Sequence, residues 1–117
     1  LLSANSGLTA LTRQTTGETR SDPVMRAAFL TAIRESAAVG GALGVTLPDD
    51  VEQRYTDWLD TNAPIKASLL VDLERGRRLE VPWLSGAVHR LGKKAGVPTP
   101  THTAIYAALR PFEEGSN

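Results

Sequence analysis

Residues 66–100 read KASLLVDLERGRRLEVPWLSGAVHRLGKKAGVPTP, and the punctuation of this stretch decides the fold. Ile65, Leu69 and Leu73 stand four apart, which predicts a short helix ending at Gly76. Arg75, Arg77 and Arg78 surround that end, where cations suit the negative pole of a helix. Leu79-Glu80-Val81 is expected to be extended, because the ring of Pro82 disfavours helical backbone at Val81. Pro82 then opens a second helix with Leu84, Ala87, Val88, Leu91 and Ala95 as its apolar face, stopped by Gly96 and Pro98. The stretch therefore reads as two helices joined by a tight elbow, with the carboxylate of Glu80 at the bend.

The same signals recur outward from it. Residues 1–12 put Leu1, Leu8 and Leu11 on one helical face with Ala4 between them, and the opposite face holds only small residues and one Asn. That pattern predicts a helix packed on most sides. Residues 13–21 are polar around Gly17 and read as a loop. Asp22-Pro23 is a cap followed by a first-turn proline, and Met25, Phe29, Ile33 and Ala37 then recur every fourth residue up to the Gly40-Gly41 stop. Asp49 with Glu52 opens a further amphipathic helix on Val51, Tyr55, Trp58 and Leu59, broken at Asn62-Ala63-Pro64. Thr99-Pro100 starts the last helix, lined by Ile105, Leu109 and Phe112. The expectation is one all-α domain over residues 1–117, a bundle of six helices. With neither βαβ alternation nor GxGxxG, the chain contains no dinucleotide-binding half.

Composition excludes several classes. Thirteen basic residues balance thirteen acidic ones, so Arg75, Arg77, Arg78, Arg90, Lys93 and Lys94 read as a solvated face and no nucleic-acid partner is expected. The absence of Cys rules out disulfides, and His89 and His102 lie too far apart, with no acidic cluster between them, to suggest a metal site. No apolar run is long enough to span a membrane. Leu1-Leu2 begins without Met or a charged leader, so the expectation is a cytoplasmic piece of a longer protein.

Two residues are singled out for chemistry. Glu80 reads either as an acid favoured by the positive end of the following helix or as a site carboxylate held rigidly at the elbow. Ser68 lies on the polar side of its helix and lacks the G-x-S-x-G surroundings of a nucleophile. Trp58 and Trp83 fall on apolar stripes and are expected in the core; His89 is expected at a core boundary.

The series Ser68, Asp72, Gly76, Glu80, Gly86, Gly96, Pro98 and Pro100, with GLTALTRQTTGE at 7–18, resembles the C-terminal helical domain of ketopantoate reductases, the 2-dehydropantoate 2-reductases. The resemblance covers nearly the whole chain, residues 21–62 only as a helical pattern. It implies a bundle similar to the C-terminal domain of 6-phosphogluconate dehydrogenase, closing the substrate cleft of an enzyme whose N-terminal Rossmann domain, absent from this chain, binds NADPH. The implied activity is reduction of ketopantoate to pantoate in pantothenate biosynthesis, with a Lys on the first helix protonating the alkoxide. Glu80 would hydrogen-bond the substrate oxygen and steady that Lys, and Ser68 would bind the substrate carboxylate. By the same register the family Lys falls about three residues before Leu1, its companion Asn on Leu2 and the loop Asn on Thr16. These departures widen the expected substrate to a related 2-keto acid. The isolated chain is expected to be inactive. The partners expected are that small molecule and, where two copies pair, a homodimer. A catalytically silent helical dimerisation or interaction domain is the alternative.

Overall fold

A computed structural model describes residues 1–61 and 65–115, and among them there are helices and turns but no strand. Seven α-helices follow in order: α1 Leu2–Thr12, α2 Thr16–Ser21, α3 Pro23–Ala42, α4 Val51–Thr61, α5 Ser68–Glu74, α6 Ser85–Ala95 and α7 Pro100–Leu109. Short 3-10 turns span Val81–Trp83 and Arg110–Phe112. The molecule measures 41 × 32 × 19 Å, and 19 Å is the thickness of two packed helices of about 10 Å each.

α1 is the centre of the bundle. Every residue from Ala4 to Ala10 is buried, as its two-sided sequence pattern predicts, and α1 packs on α3, α5 and α7. Leu8, Phe29, Ile33, Leu59, Leu69, Leu70, Val81, Ile105 and Leu109 form the core, with Trp58 and Tyr55 packed against it from α4. α7 approaches so closely that a Cβ on Gly7 would stand 2.7 Å from Ile105 Cγ2. α4 is pinned to α3 by a two-pronged ion pair, Arg26 Nη1 to Asp60 Oδ1 at 2.8 Å and Nη2 to Oδ2 at 3.0 Å. Arg34 and Glu52 pair across the same seam.

Several sequence expectations need correction. Residues 16–21 are a helix rather than part of a loop: Thr15 Oγ1 accepts from Glu18 N, and Glu18 Oε2 accepts from Thr15 N, a reciprocal cap that outweighs Gly17. α4 begins at Val51, and Ile65 precedes α5 and is exposed. The break expected at Asn62-Ala63-Pro64 lies outside the described residues. Glu80 is not extended, having φ −83° and ψ 9°, and Val81–Trp83 forms a 3-10 turn, so α6 starts at Ser85 and not at Pro82. That turn swings Trp83 out of the core to 72% exposure, with the Arg90 guanidinium 5.9 Å from its ring centre.

α6 is the largest surprise in packing. Its buried positions are Ser85, Gly86 and Gly92, whereas Leu91 of its apolar stripe is 41% exposed. Small residues win the buried side because α7 and the link before it lie too close for larger ones: a Cβ on Gly86 would stand 3.0 Å from Tyr106 Cε1 of α7, and one on Gly92 would meet Thr99 Cγ2 at 2.6 Å and Val97 O at 2.8 Å in the link. Phe112 likewise lies in the last 3-10 turn, largely outside the core.

Candidate functional site

The elbow is built as the sequence requires at its entry. α5 ends where Gly76 takes φ +65° and Arg77 N donates to Asp72 O at 2.8 Å, the wrap-around stop that only a residue without Cβ adopts cheaply. Leu79 N then donates to Glu113 O at 2.8 Å, so the C-terminal turn clamps the link. Leu79 and Val81 are both buried, and Glu80 between them is exposed. Two buried neighbours and the bond from Trp83 N to Glu80 O at 2.9 Å fix its backbone while its carboxylate stands free, with no hydrogen-bond or ion-pair partner among the described residues.

Ser68 is the first residue of α5, exposed, at the edge of a hollow of about 180 Å³. The hollow is lined by Leu1, Leu2, Asn5 and Ser6 of the α1 start, Trp58 of α4, and Ile65, Ala67 and Ser68. Its walls are mostly apolar, with a few polar groups converging from α1 and α5, the usual composition of a small-molecule site. A second hollow of about 130 Å³ lies on the other side of Leu1, between α3 and α4, lined by Ile33, Ser36, Ala37, Gly40, Leu47, Val51 and Tyr55. Glu80 lines neither, so Ser68 and Glu80 occupy separate positions, at the hollow and at the elbow.

Two groups of polar residues were not singled out from sequence. One is Asn5 with Ser6 in the first hollow; its only signal was a lone Asn on a helix face of small residues. The other is a buried knot around the start of α7. His102, fully buried, places Nε2 2.9 Å from Ala32 O and 3.0 Å from Ser36 Oγ, and Nδ1 3.2 Å from Ser85 Oγ. A carbonyl can only accept, so Nε2 carries a proton; in the neutral ring that burial favours, Nδ1 accepts from Ser85, and the ring ties α3, α6 and α7 together. Burial pushes its pKa down, against smaller opposing effects of the Ala32 carbonyl and the Glu35 charge. Glu35 reaches across from α3 to accept from Thr101 N and His102 N, both at 3.0 Å, capping α7 in place of Thr99. His89 sits half-buried, its Nδ1 2.7 Å from Thr103 Oγ1, at the core boundary as expected.

Among the described residues no group of three or more His, Asp or Glu is placed to hold a metal ion, and no helix is long and apolar enough to cross a membrane.

Comparison with known proteins places this geometry. Residues 1–113 match the family described as ketopantoate reductase PanE/ApbA C terminal. A 2-dehydropantoate 2-reductase of Mesorhizobium japonicum is 39% identical over 103 residues, which are 88% of this chain and 31% of that protein. The PanE/ApbA family ketopantoate reductase of Ralstonia eutropha superposes with a TM-score of 0.86 at 31% identity, over 96% of this chain and 39% of the other. The 2-dehydropantoate 2-reductase of Methylococcus capsulatus gives a TM-score of 0.86 at 27% identity, over 95% of this chain and 38% of the other. The chain spans about a third of the length of these relatives. A match over residues 1–113, carried by a helical bundle of the same shape, shows that this chain belongs to the ketopantoate reductase C-terminal domain family.

Proposed function

We propose that this chain is the substrate-binding C-terminal domain of an NADPH-dependent cytoplasmic reductase that converts ketopantoate or a related 2-keto acid to the 2-hydroxy acid, serving pantothenate biosynthesis. The observation that carries the reading is the family match over residues 1–113, with Ser68 at the rim of a small hollow beside the first turn of α1. The bound nucleotide would supply the hydride. Among the described residues no strand–helix–strand unit is present to hold it, so the reading assigns the nucleotide to an N-terminal Rossmann domain. What the chain's own residues would do is bind and orient. Ser68 can donate a hydroxyl hydrogen to the substrate carboxylate. Glu80, unpaired and fixed at the elbow, can accept from the substrate oxygen and hold an ammonium donor charged and aimed at it. An exposed carboxylate with no partner inside its own domain suits a residue that acts across an interface.

The test is NADPH oxidation by the parent enzyme with ketopantoate, before and after Glu80→Gln. The expected loss in kcat is about 10²-fold or more, the range for a positioned acid–base group. Unchanged kinetics would return Glu80 to a surface acid. The 117-residue chain alone should oxidise no NADPH.

A further inference from the structure

Glu80 is held in place by its two neighbours, and one of them is tied to a distant turn. Most backbone bonds around the elbow are local: Arg77 N donates to Asp72 O, and Trp83 N donates to Glu80 O. Leu79 N instead donates to Glu113 O at 2.8 Å, in the turn that follows α7. Leu79 is 3% exposed, so without this acceptor its N–H would be buried and unmatched. The turn has a defined shape of its own. Leu109 anchors it in the core, the ring of Pro111 fixes one backbone angle of the 3-10 turn, and Glu113 N donates to Arg110 O at 3.1 Å. Gly115 then takes φ +95° and lies so close to the elbow that a Cβ on it would stand 2.7 Å from Gly76 O. The other neighbour of Glu80 is packed from the same side of the bundle, since a Cβ on Gly86 would stand 3.1 Å from Val81 O.

We propose that the turn of residues 110–115 is a positioning element for Glu80, with Glu113 and Gly115 as its positioning residues. This rests on the reading of Glu80 as the carboxylate that holds the proton donor. The exposed carboxylate has no partner among the described residues, so its backbone limits where it can reach. That backbone is set by Leu79 and Val81, and Leu79 is seated by the main-chain carbonyl of Glu113. Gly115 governs how closely that carbonyl approaches. A side chain there is opposed twice, by the positive φ and by the Gly76 carbonyl. Ala at 115 would push the turn off the elbow and stretch the bond to Leu79. A displacement of 1 Å or less at a positioned group is enough to cost rate. Stability alone accounts poorly for the turn. Pro111, Phe112 and Glu114 are exposed, and the ion pair of Arg78 with Glu114 at 3.6 Å faces solvent. What the turn does hold is the buried amide next to Glu80.

The experiment is a double-mutant cycle in the parent enzyme, with NADPH oxidation on ketopantoate as the readout. Gly115→Ala should lower kcat about tenfold and change KM by less than about twofold, because the bond it disturbs serves the reacting step. In the Glu80→Gln background, where there is no carboxylate left to position, Gly115→Ala should lower kcat by less than about twofold further. A purely structural role would cost the same factor in both backgrounds. A second variant, with a stop codon after Phe112, removes the Glu113 carbonyl itself. It should lower kcat at least as much as Gly115→Ala, and that loss should also vanish beside Glu80→Gln. Urea unfolding should show both variants folded as cooperatively as the wild type. Wild-type kcat in both variants, equal losses in both backgrounds, or unfolding of both variants overturns the inference and leaves the role of Glu80 standing. A Glu80→Gln enzyme with wild-type kinetics overturns that role, and this inference with it.

Discussion

The hollow at the start of α1 and the knot at the start of α7 are made from the same kinds of residue and come out opposite. In the knot, Gly92 admits Thr99, Glu35 accepts both first-turn amides of α7, and both ring nitrogens of His102 are used. Gly7, on α1 itself, lets Ile105 close the other side. In the hollow, which begins two residues earlier on the same helix, the Asn5 amide nitrogen makes no hydrogen bond to another described residue, Ser68 stands exposed, and Leu2 and Ile65 remain partly uncovered. Polar groups whose bonds are all made hold helices together. Polar groups left with an open donor beside apolar walls are available to a ligand. Variants in the knot should therefore change stability, and variants in the hollow should change binding.

The largest expected effect is Glu35→Ala. It removes the acceptor for one buried and one partly buried backbone amide, and leaving such donors unmet should cost about 2–3 kcal/mol in urea unfolding. Glu35→Gln keeps one carbonyl acceptor and should lose less. A loss below about 0.5 kcal/mol for the Ala variant would mean that water takes over the cap and that the knot is not closed. Next comes Gly7→Ala. The new methyl would sit 2.7 Å from Ile105 Cγ2, so α1 and α7 must part, at about 1–3 kcal/mol. Adding Ile105→Val tests the cause: if the clash is with that side chain, the double variant loses less than the sum of the two singles.

How much of this was legible follows the range of the signals. Helix stops at Gly76 and Gly96 depend on residues a few positions away, and the sequence pattern located both. The burial of α1 on nearly all sides was readable from its small-residue face. α2 was also written locally, in Thr15 and Glu18, but Gly17 drew the eye to a loop. Trp83 and the buried side of α6 were not readable. The apolar stripe of α6 is well formed, yet close approach of α7 selects Ser85, Gly86 and Gly92 for burial, a tertiary choice that overrides periodicity. Glu80 was legible from its place at the elbow, but its role and that of Ser68 came only through a family pattern, and Asn5 lay outside that pattern. Its surroundings depend on Thr16, eleven residues on, and on a hollow formed by three separate segments.

The pH dependence of stability is the next test, because it reads the knot alone. Burial holds the folded pKa of His102 below its ordinary 6.5. Below pH 6.5 the unfolded chain therefore binds a proton that the folded chain resists. By linkage, the stability from this residue is full above 6.5 and is lost as pH falls through 6.5 toward the folded value. The urea midpoint at pH 5 should lie below that at pH 7.5. His102→Gln should lower stability at neutral pH yet flatten that slope. A slope unchanged in the variant would assign the acid sensitivity to carboxylates instead.

The smallest effect is predicted for the same substitution made in both regions. Ser85 is fully buried and donates to His102 Nδ1, so Ser85→Ala removes a made bond and should cost about 1 kcal/mol. Ser68 is exposed at the first position of α5 and has no partner among the described residues, so Ser68→Ala should change stability by less than about 0.5 kcal/mol. Size and chemistry are identical in the two changes, and both sites open a helix, so helix propensity largely cancels in the comparison. What remains is whether the hydroxyl is already used inside the fold. If Ser68→Ala proves as costly as Ser85→Ala, the hydroxyl at the hollow belongs to the architecture and is not held open for a substrate. If only Ser85→Ala costs stability while Ser68→Ala in the parent enzyme raises KM, the division between a closed knot and an open hollow holds at the level of a single oxygen atom.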